Sequence, residues 1–139
     1  MDGKQKYLNF FILIVLIVVV QARAAAGVSQ GTISYGIDDK ALAVSGATGT
    51  TAAVYLKEIT SVEYVEELKI GEALNAVQER DISCGSFEND AYGVYSLYAY
   101  DSNATYVVVK HTDGVLVFNG KDSNATVKIY DELKAASDN

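Results

Sequence analysis

Few side chains in this 139-residue chain could do chemistry, and their spacing brings none of them together. His111 is the single histidine and Cys84 the single cysteine. A thiol–imidazole dyad needs a third group to orient the imidazole, and nothing in the spacing supplies one. Carboxylates stand side by side at Asp38-Asp39, Glu66-Glu67 and Asp131-Glu132. Neighbours on a strand point to opposite faces, so none of these pairs forms an acid/base couple. Asp38-Asp39 reads as turn chemistry, His111 as a solvated residue beside a turn, and Cys84 as a small buried hydrophobe. No phosphate-binding glycine loop, dinucleotide fingerprint, calcium loop or zinc-protease motif occurs, and one cysteine builds neither a disulfide nor a multi-cysteine zinc site. No catalytic, metal or cofactor residue is therefore assigned, and a non-enzymatic role is expected. The remaining chemistry is a repeated Asp-Ser-Asn-Ala-Thr, at 101–105 and 122–126. Each copy holds an Asn-x-Thr acceptor, at Asn103 and Asn124, open to glycosylation if the domain is exported. The same residue types also suit a turn or a helix cap.

The N-terminus suggests such export. Tyr7 to Val20 reads YLNFFILIVLIVVV, with Lys4 and Lys6 before it and an alanine-rich segment containing Arg23 after it. Two readings fit residues 1–27. One is a retained membrane anchor built on Tyr7, Phe10, Phe11, Leu13, Leu16 and Val20, reaching the ~20 residues of a span if it continues through Ala26. The other is a signal peptide with an Ala22-Arg23-Ala24 cleavage site. In both, Lys4 and Lys6 keep the N-terminus cytoplasmic and send residues 28–139 outside. That domain carries eight lysines and arginines against seventeen carboxylates, a net of −9. Nucleic acid and anionic lipid headgroups are poor partners for such a surface.

The elements that must position these residues are mostly strands. Ile33, Tyr35 and Ile37 share one face of a first strand; Leu42 and Val44 share a face of a second, across the turn at Asp38–Lys40. Thr51–Leu56 and Ile59–Val65 follow as the third and fourth. Leu68–Asn89 has no clean period and reads as a long connection holding at most a turn of helix near Leu74–Gln78. Tyr92–Tyr100 alternates Tyr92, Val94, Ser96, Tyr98 and Tyr100 against Tyr95 and Leu97, the pattern of a half-buried sheet surface. Thr105–Thr112 and Val115–Phe118 flank Asp113-Gly114, a two-residue hairpin turn. Last comes an amphipathic helix capped by Asp122 or Ser123, with Val127, Tyr130 and Leu133 on its apolar stripe and Ile129 beside them. The expected fold is α+β: about seven strands in a bent antiparallel sheet or partly open barrel, closed by the C-terminal helix.

This succession resembles the small bacterial pleckstrin-homology-like domains. The resemblance is carried by Ile33–Gly46 with its Asp38-Asp39 and Ser45-Gly46, by Tyr55–Glu63, and by Gly85-Ser86-Phe87 and Tyr92-Gly93. It continues through Tyr106–Lys110, Asp113-Gly114, Phe118-Asn119 and Thr126 with Tyr130–Leu133, covering about Gln30 to Ala136. It implies a domain that binds a protein or peptide through a sheet edge or a variable loop. Phosphoinositide binding does not carry over, because it needs a basic pocket and this domain has isolated lysines. The competing expectation is a structural subunit of a surface assembly, a homo-oligomer held together by its apolar N-terminal helices.

Overall fold

The computed structural model describes residues 32–46 and 50–138. The expected anchor residues Tyr7, Phe10, Phe11, Leu13, Leu16 and Val20 lie outside them. Among the described residues no helix is long and apolar enough to cross a membrane.

The described chain is α+β: two sheets of three and six strands and one C-terminal helix, with no closed barrel. The small sheet holds β1 (Ser34–Ile37), β2 (Ala41–Ser45) and β3 (Thr51–Tyr55), all antiparallel. The large sheet holds β4 (Ile59–Val65), β5 (Glu72–Glu79), β6 (Ile82–Asn89), β7 (Gly93–Tyr100), β8 (Tyr106–His111) and β9 (Gly114–Phe118) in the order β4-β8-β9-β7-β6-β5. Helix α1 (Ser123–Ser137) packs against β4 and β8. The strands number nine among the described residues rather than seven.

Three expectations are corrected by the register. The 68–89 connection is a hairpin, β5–β6, closed by the two residues Arg80 and Asp81. Both have positive φ, 51° and 68°, so the turn has the primed geometry that matches strand twist, without the glycine or asparagine that normally announces it. Second, the sheet is mixed: β7 and β9 are parallel. After β7 the chain skips one strand position to lay down β8, and β9 then folds back into the gap. Third, the β8–β9 turn is shifted by one residue. His111 faces Gly114, so Thr112 and Asp113 form the loop. Both lie outside the left-handed region, and Gly114, at φ +149°, absorbs the misfit on entering β9.

The alternation within strands divides the large sheet into two apolar faces. One face carries Val62, Cys84, Tyr98, Val107, Val109, Leu116 and Phe118. It is covered by Leu42, Val44 and Val54 of the small sheet and by Ile129 and Leu133 of α1. The Tyr64 and Tyr130 rings meet edge-on at 6.2 Å where α1 crosses β4. Val127 is 40% exposed, so the buried stripe of α1 runs through Thr126, Ile129 and Leu133 instead. Steps of three and four keep those residues on one side, whereas Val127 is rotated by about 100° from Thr126.

The other face carries Phe87, Tyr95, Leu97, Ala99, Tyr106, Val108 and Val117. Tyr92 precedes β7 and turns onto this face, its ring 5.6 Å from that of Tyr95, not onto the face of Tyr98. The link from β4 to β5 joins opposite edges of the sheet, five strand spacings or about 24 Å. Seven residue steps from Val65 to Glu72 reach roughly 23–25 Å when extended. The link is therefore a taut strap, and it lays Leu68 and Ile70 on the second apolar face. The Tyr95 hydroxyl donates to the Ile70 carbonyl at 2.7 Å, and the Asn89 amide donates to Lys69 at 2.8 Å, pinning it.

Candidate functional site

Two regions gather polar groups. The first lies where β7 skips to β8, and it is built from the repeated Asp-Ser-Asn-Ala-Thr. The connection 101–105 passes the end of β9, leaving the last backbone groups of β7 without a strand partner on the β9 side. Asn119, just beyond β9, fills that role with its side chain: its amide oxygen accepts from the Tyr100 N–H at 2.8 Å, and its amide nitrogen donates to the Tyr100 and Asn103 carbonyls.

Asn103 is buried beside it, 8% exposed. Its nitrogen donates to the Gly120 carbonyl and the Thr126 hydroxyl at 3.0 Å each, and its oxygen accepts from the Thr105 N–H and hydroxyl. Thr126 Oγ1 accepts from Asn103 and from the Gly120 N–H while donating to the Asp122 carbonyl. Every donor and acceptor of Asn103 and Thr126 is used, the condition for burying polar groups without penalty. The third residue of the first repeat thus bonds the fifth residue of the second. Asp122 caps α1, accepting from the Ala125 N–H at 2.8 Å, which settles the choice between Asp122 and Ser123. Of the two sequon asparagines, Asn103 is committed inside and Asn124 is exposed on the first turn of α1.

The second region is the β5 edge. Among the described residues β5 pairs only with β6, and its other side is the rim of the large sheet. In a two-residue hairpin the pair flanking the turn, Glu79 and Ile82, exchanges both backbone bonds. Alternate residues back from it, Gln78 and Ala76, therefore direct N–H and C=O away from β6. A bulge at Leu74, between Ala73 and Asn75, ends this regular stretch. Glu72 to Asn75 and Gln78 are exposed, and Leu74 is 49% so. Beyond β6 on the same end, Val94 is 60% exposed.

Two features shape this rim. Glu72 stands directly across from Glu88, both exposed, and like charges in that position repel. Gly85 lies against Ala76 so closely that a Cβ there would stand 2.6 Å from the Ala76 Cα. The glycine lets the two strands come into close backbone contact at the border of the second apolar face. The turn that ends the rim is tied down: the Asp81 carbonyl accepts from the Asp101 N–H at 2.8 Å, and its carboxylate accepts from the Ser102 hydroxyl at 2.7 Å.

The residues singled out for chemistry stay apart. His111 ends β8, where its Nδ1 accepts from the Asp113 N–H at 3.3 Å. Cys84 is buried on β6, three strand spacings away, roughly 14 Å. Asp38 accepts from the N–H groups of Lys40 and Ala41 at 2.7 Å, as a turn residue. Glu132 takes the Tyr35 hydroxyl at 3.0 Å and lies 4.0 Å from Lys128. Glu66 and Glu67 line an open depression of about 460 Å³ with Leu68, Lys69 and Ala104 beneath the strap. Among the described residues no three of His, Cys, Asp or Glu converge. Burial raises the hydroxyl pKa of Tyr98 and Tyr106, and pushes that of Tyr95 up to about 12.

Sequence reasoning missed β5 altogether. Glu-Ala-Leu-Asn-Ala-Val-Gln-Glu buries no face, so it has no period for the eye to find. The signal that was present is its partner: Ile82, Cys84 and Phe87 are spaced as a strand needing neighbours on both sides. Against known proteins, no family model, no curated protein and no solved structure matches this chain.

Proposed function

We propose that this protein is a non-enzymatic interaction domain, held outside the cytoplasm at a membrane by Tyr7–Val20, that binds a protein or peptide by strand addition at β5. The observation that carries the reading is the free rim from Asn75 to Glu79, where the backbone of Ala76 and Gln78 has unpaired groups pointing outward. Exposed strand edges recruit extended segments through main-chain hydrogen bonds, and natural proteins usually blunt them with lysine, proline or a covering element. The bulge at Leu74 blunts one half of β5; among the described residues no strand or helix covers the other. The strand at the opposite rim, β4, has α1 packed on its face.

The kinship with pleckstrin-homology-like domains belongs to this reading. In its favour stand the strand succession and the single C-terminal helix packed on the sheet; the parallel β7–β9 pair departs from an all-antiparallel design.

The test is site-specific photo-crosslinking of the full chain in its native host. A crosslinker at position 78 is expected to yield an adduct in the membrane fraction that one at position 127, on α1, does not, and Ala76→Pro should abolish it. Equal adducts from both positions, or an adduct indifferent to the proline, would defeat the reading. A regular ladder of self-adducts would favour the surface-assembly subunit instead.

A further inference from the structure

The Asn119-Gly120 step lies inside the buried polar cluster and carries a reactivity that the cluster holds in check. We infer that Asn119 is a latent self-modification site: it deamidates through the Gly120 nitrogen only when the first turn of α1 opens away from the end of β9, and the change marks the opened chain permanently. The site acts on itself and needs no partner.

Asn119 is the only asparagine in the chain followed by glycine; Asn75, Asn103 and Asn124 each precede alanine. In such a pair the glycine nitrogen reaches the asparagine side-chain carbonyl carbon with no Cβ in the way. Once that nitrogen has given its proton to solvent base it attacks Cγ, so that an N–Cγ bond forms and the Cγ–Nδ2 bond breaks. The departing nitrogen takes up a proton and leaves as ammonia, closing a five-membered succinimide. Water then opens the ring at either carbonyl and leaves aspartate or isoaspartate at position 119. No electrons are exchanged, and water is the only co-reactant. The fold needs both residues of this reactive pair. The Asn119 side chain pairs with the end of β7, and a Cβ at position 120 would stand 2.6 Å from that of Ala125 on α1.

In the closed structure both reacting groups are withheld. Asn119 is 1% exposed, so water and hydroxide are kept from it. Its amide nitrogen donates to the Tyr100 carbonyl at 3.3 Å and the Asn103 carbonyl at 3.1 Å, and its oxygen accepts from the Tyr100 N–H at 2.8 Å. Turning Cγ onto the Gly120 nitrogen breaks all three bonds. The Gly120 N–H donates to Thr126 Oγ1 at 3.0 Å. That oxygen also accepts from Asn103 and donates to the Asp122 carbonyl, so it has no capacity left to act as a base. Thr126 belongs to the first turn of α1, so lifting that turn uncovers the nucleophile and frees the cluster around the amide together. The product cannot close again. A carboxylate at position 119 sets an acceptor against the Tyr100 and Asn103 carbonyls, where a donor stood, and buries a charge.

The experiment follows amide-to-acid conversion at each asparagine by peptide mapping and mass spectrometry, on the full-length, detergent-solubilised chain at mildly alkaline pH. In urea strong enough to unfold the domain, Asn119 should convert about tenfold faster than Asn124, or more. In native buffer it should convert no faster than Asn124. Thr126→Val should speed conversion of Asn119 in native buffer by about tenfold, because the cluster opens more often. Thr126→Ser, which keeps the hydroxyl, should raise the rate far less, and Tyr95→Phe, which loosens the strap on the other face, should leave it unchanged. The wild-type contrast between urea and native buffer decides the matter even where Thr126→Val fails to fold. Conversion of Asn119 in native buffer at its rate in urea overturns the protection. Equal acceleration by Thr126→Val and Tyr95→Phe overturns the local opening, since the whole domain must then unfold first. A converted chain that regains the wild-type unfolding midpoint after urea is removed overturns the permanence of the mark.

Discussion

Two places in the large sheet have been finished in opposite ways. At the end of β7 and β9, where the chain skips a strand position, the backbone groups of Tyr100, Asn103 and Gly120 are met by asparagine and threonine side chains, and α1 packs on the face of β4 and β8. At β5 the backbone of Ala76 and Gln78 is left pointing outward, and the adjoining carboxylates Glu72 and Glu88 face each other. The same chain thus satisfies buried polar groups completely in one place and leaves accessible ones unmet in another. Unmet backbone costs several kcal/mol when buried and little when water can reach it, so only the exposed rim could be left in a state ready for a partner.

That contrast can be broken from the closed side first. Phe118→Ala or Leu133→Ala removes a fully buried side chain between sheet and helix and should cost about 3–5 kcal/mol, read as a large fall in the urea midpoint. Next comes the polar cluster: Thr126→Val keeps the shape but strands Asn103 and the Gly120 N–H, and should cost about 1–3 kcal/mol. Asn103→Ala/Thr126→Val should cost less than the sum of the two single changes, because the partner left unpaired is removed with it.

The strap supplies a pH test of similar or smaller size. The Tyr95 hydroxyl, neutral and bonded to Ile70, resists ionisation until about pH 12, while in the unfolded chain it ionises near the ordinary tyrosine value of 10. Its contribution is therefore intact below pH 10 and drains away between 10 and 12. Tyr95→Phe should lower stability at neutral pH by about 1 kcal/mol and flatten the alkaline limb of the stability curve.

The smallest effects are expected at the open rim. Gln78→Pro removes an outward N–H that has no ladder partner and should change stability by less than about 1 kcal/mol, whereas Val108→Pro in the centre of the sheet should unfold the domain. Arg80→Gly should be neutral or stabilise by up to ~1 kcal/mol, since an arginine at φ 51° pays a steric penalty that glycine does not. A large loss from Gln78→Pro would mean that the rim is closed after all.

How much was readable follows from where each element finds its stabilisation. Strands whose large apolar residues recur at every second position, such as β1, β2, β4 and β7, advertise themselves by alternation, and α1 by its apolar stripe and Asp122. The error at Val127 is of the same kind, an apolar residue taken for core that the helical angle turns outward. β5 was illegible because it is held by β6 and not by burial of its own side chains, and the candidate site lies there. The turn at Arg80-Asp81 was illegible because its left-handed backbone is imposed by the strands on either side and by the bonds from Asp101 and Ser102.

By itself the sequence determined the class, α+β with a C-terminal helix, the acid excess and the separateness of His111 and the carboxylate pairs, since these depend on composition and local periodicity. Only the tertiary structure decided that β9 returns beside β7, that Asn103 turns inward while Asn124 faces out, and that β5 is a rim. Strand order and exposure are set by which segments bury each other across the chain, and no local pattern carries that choice.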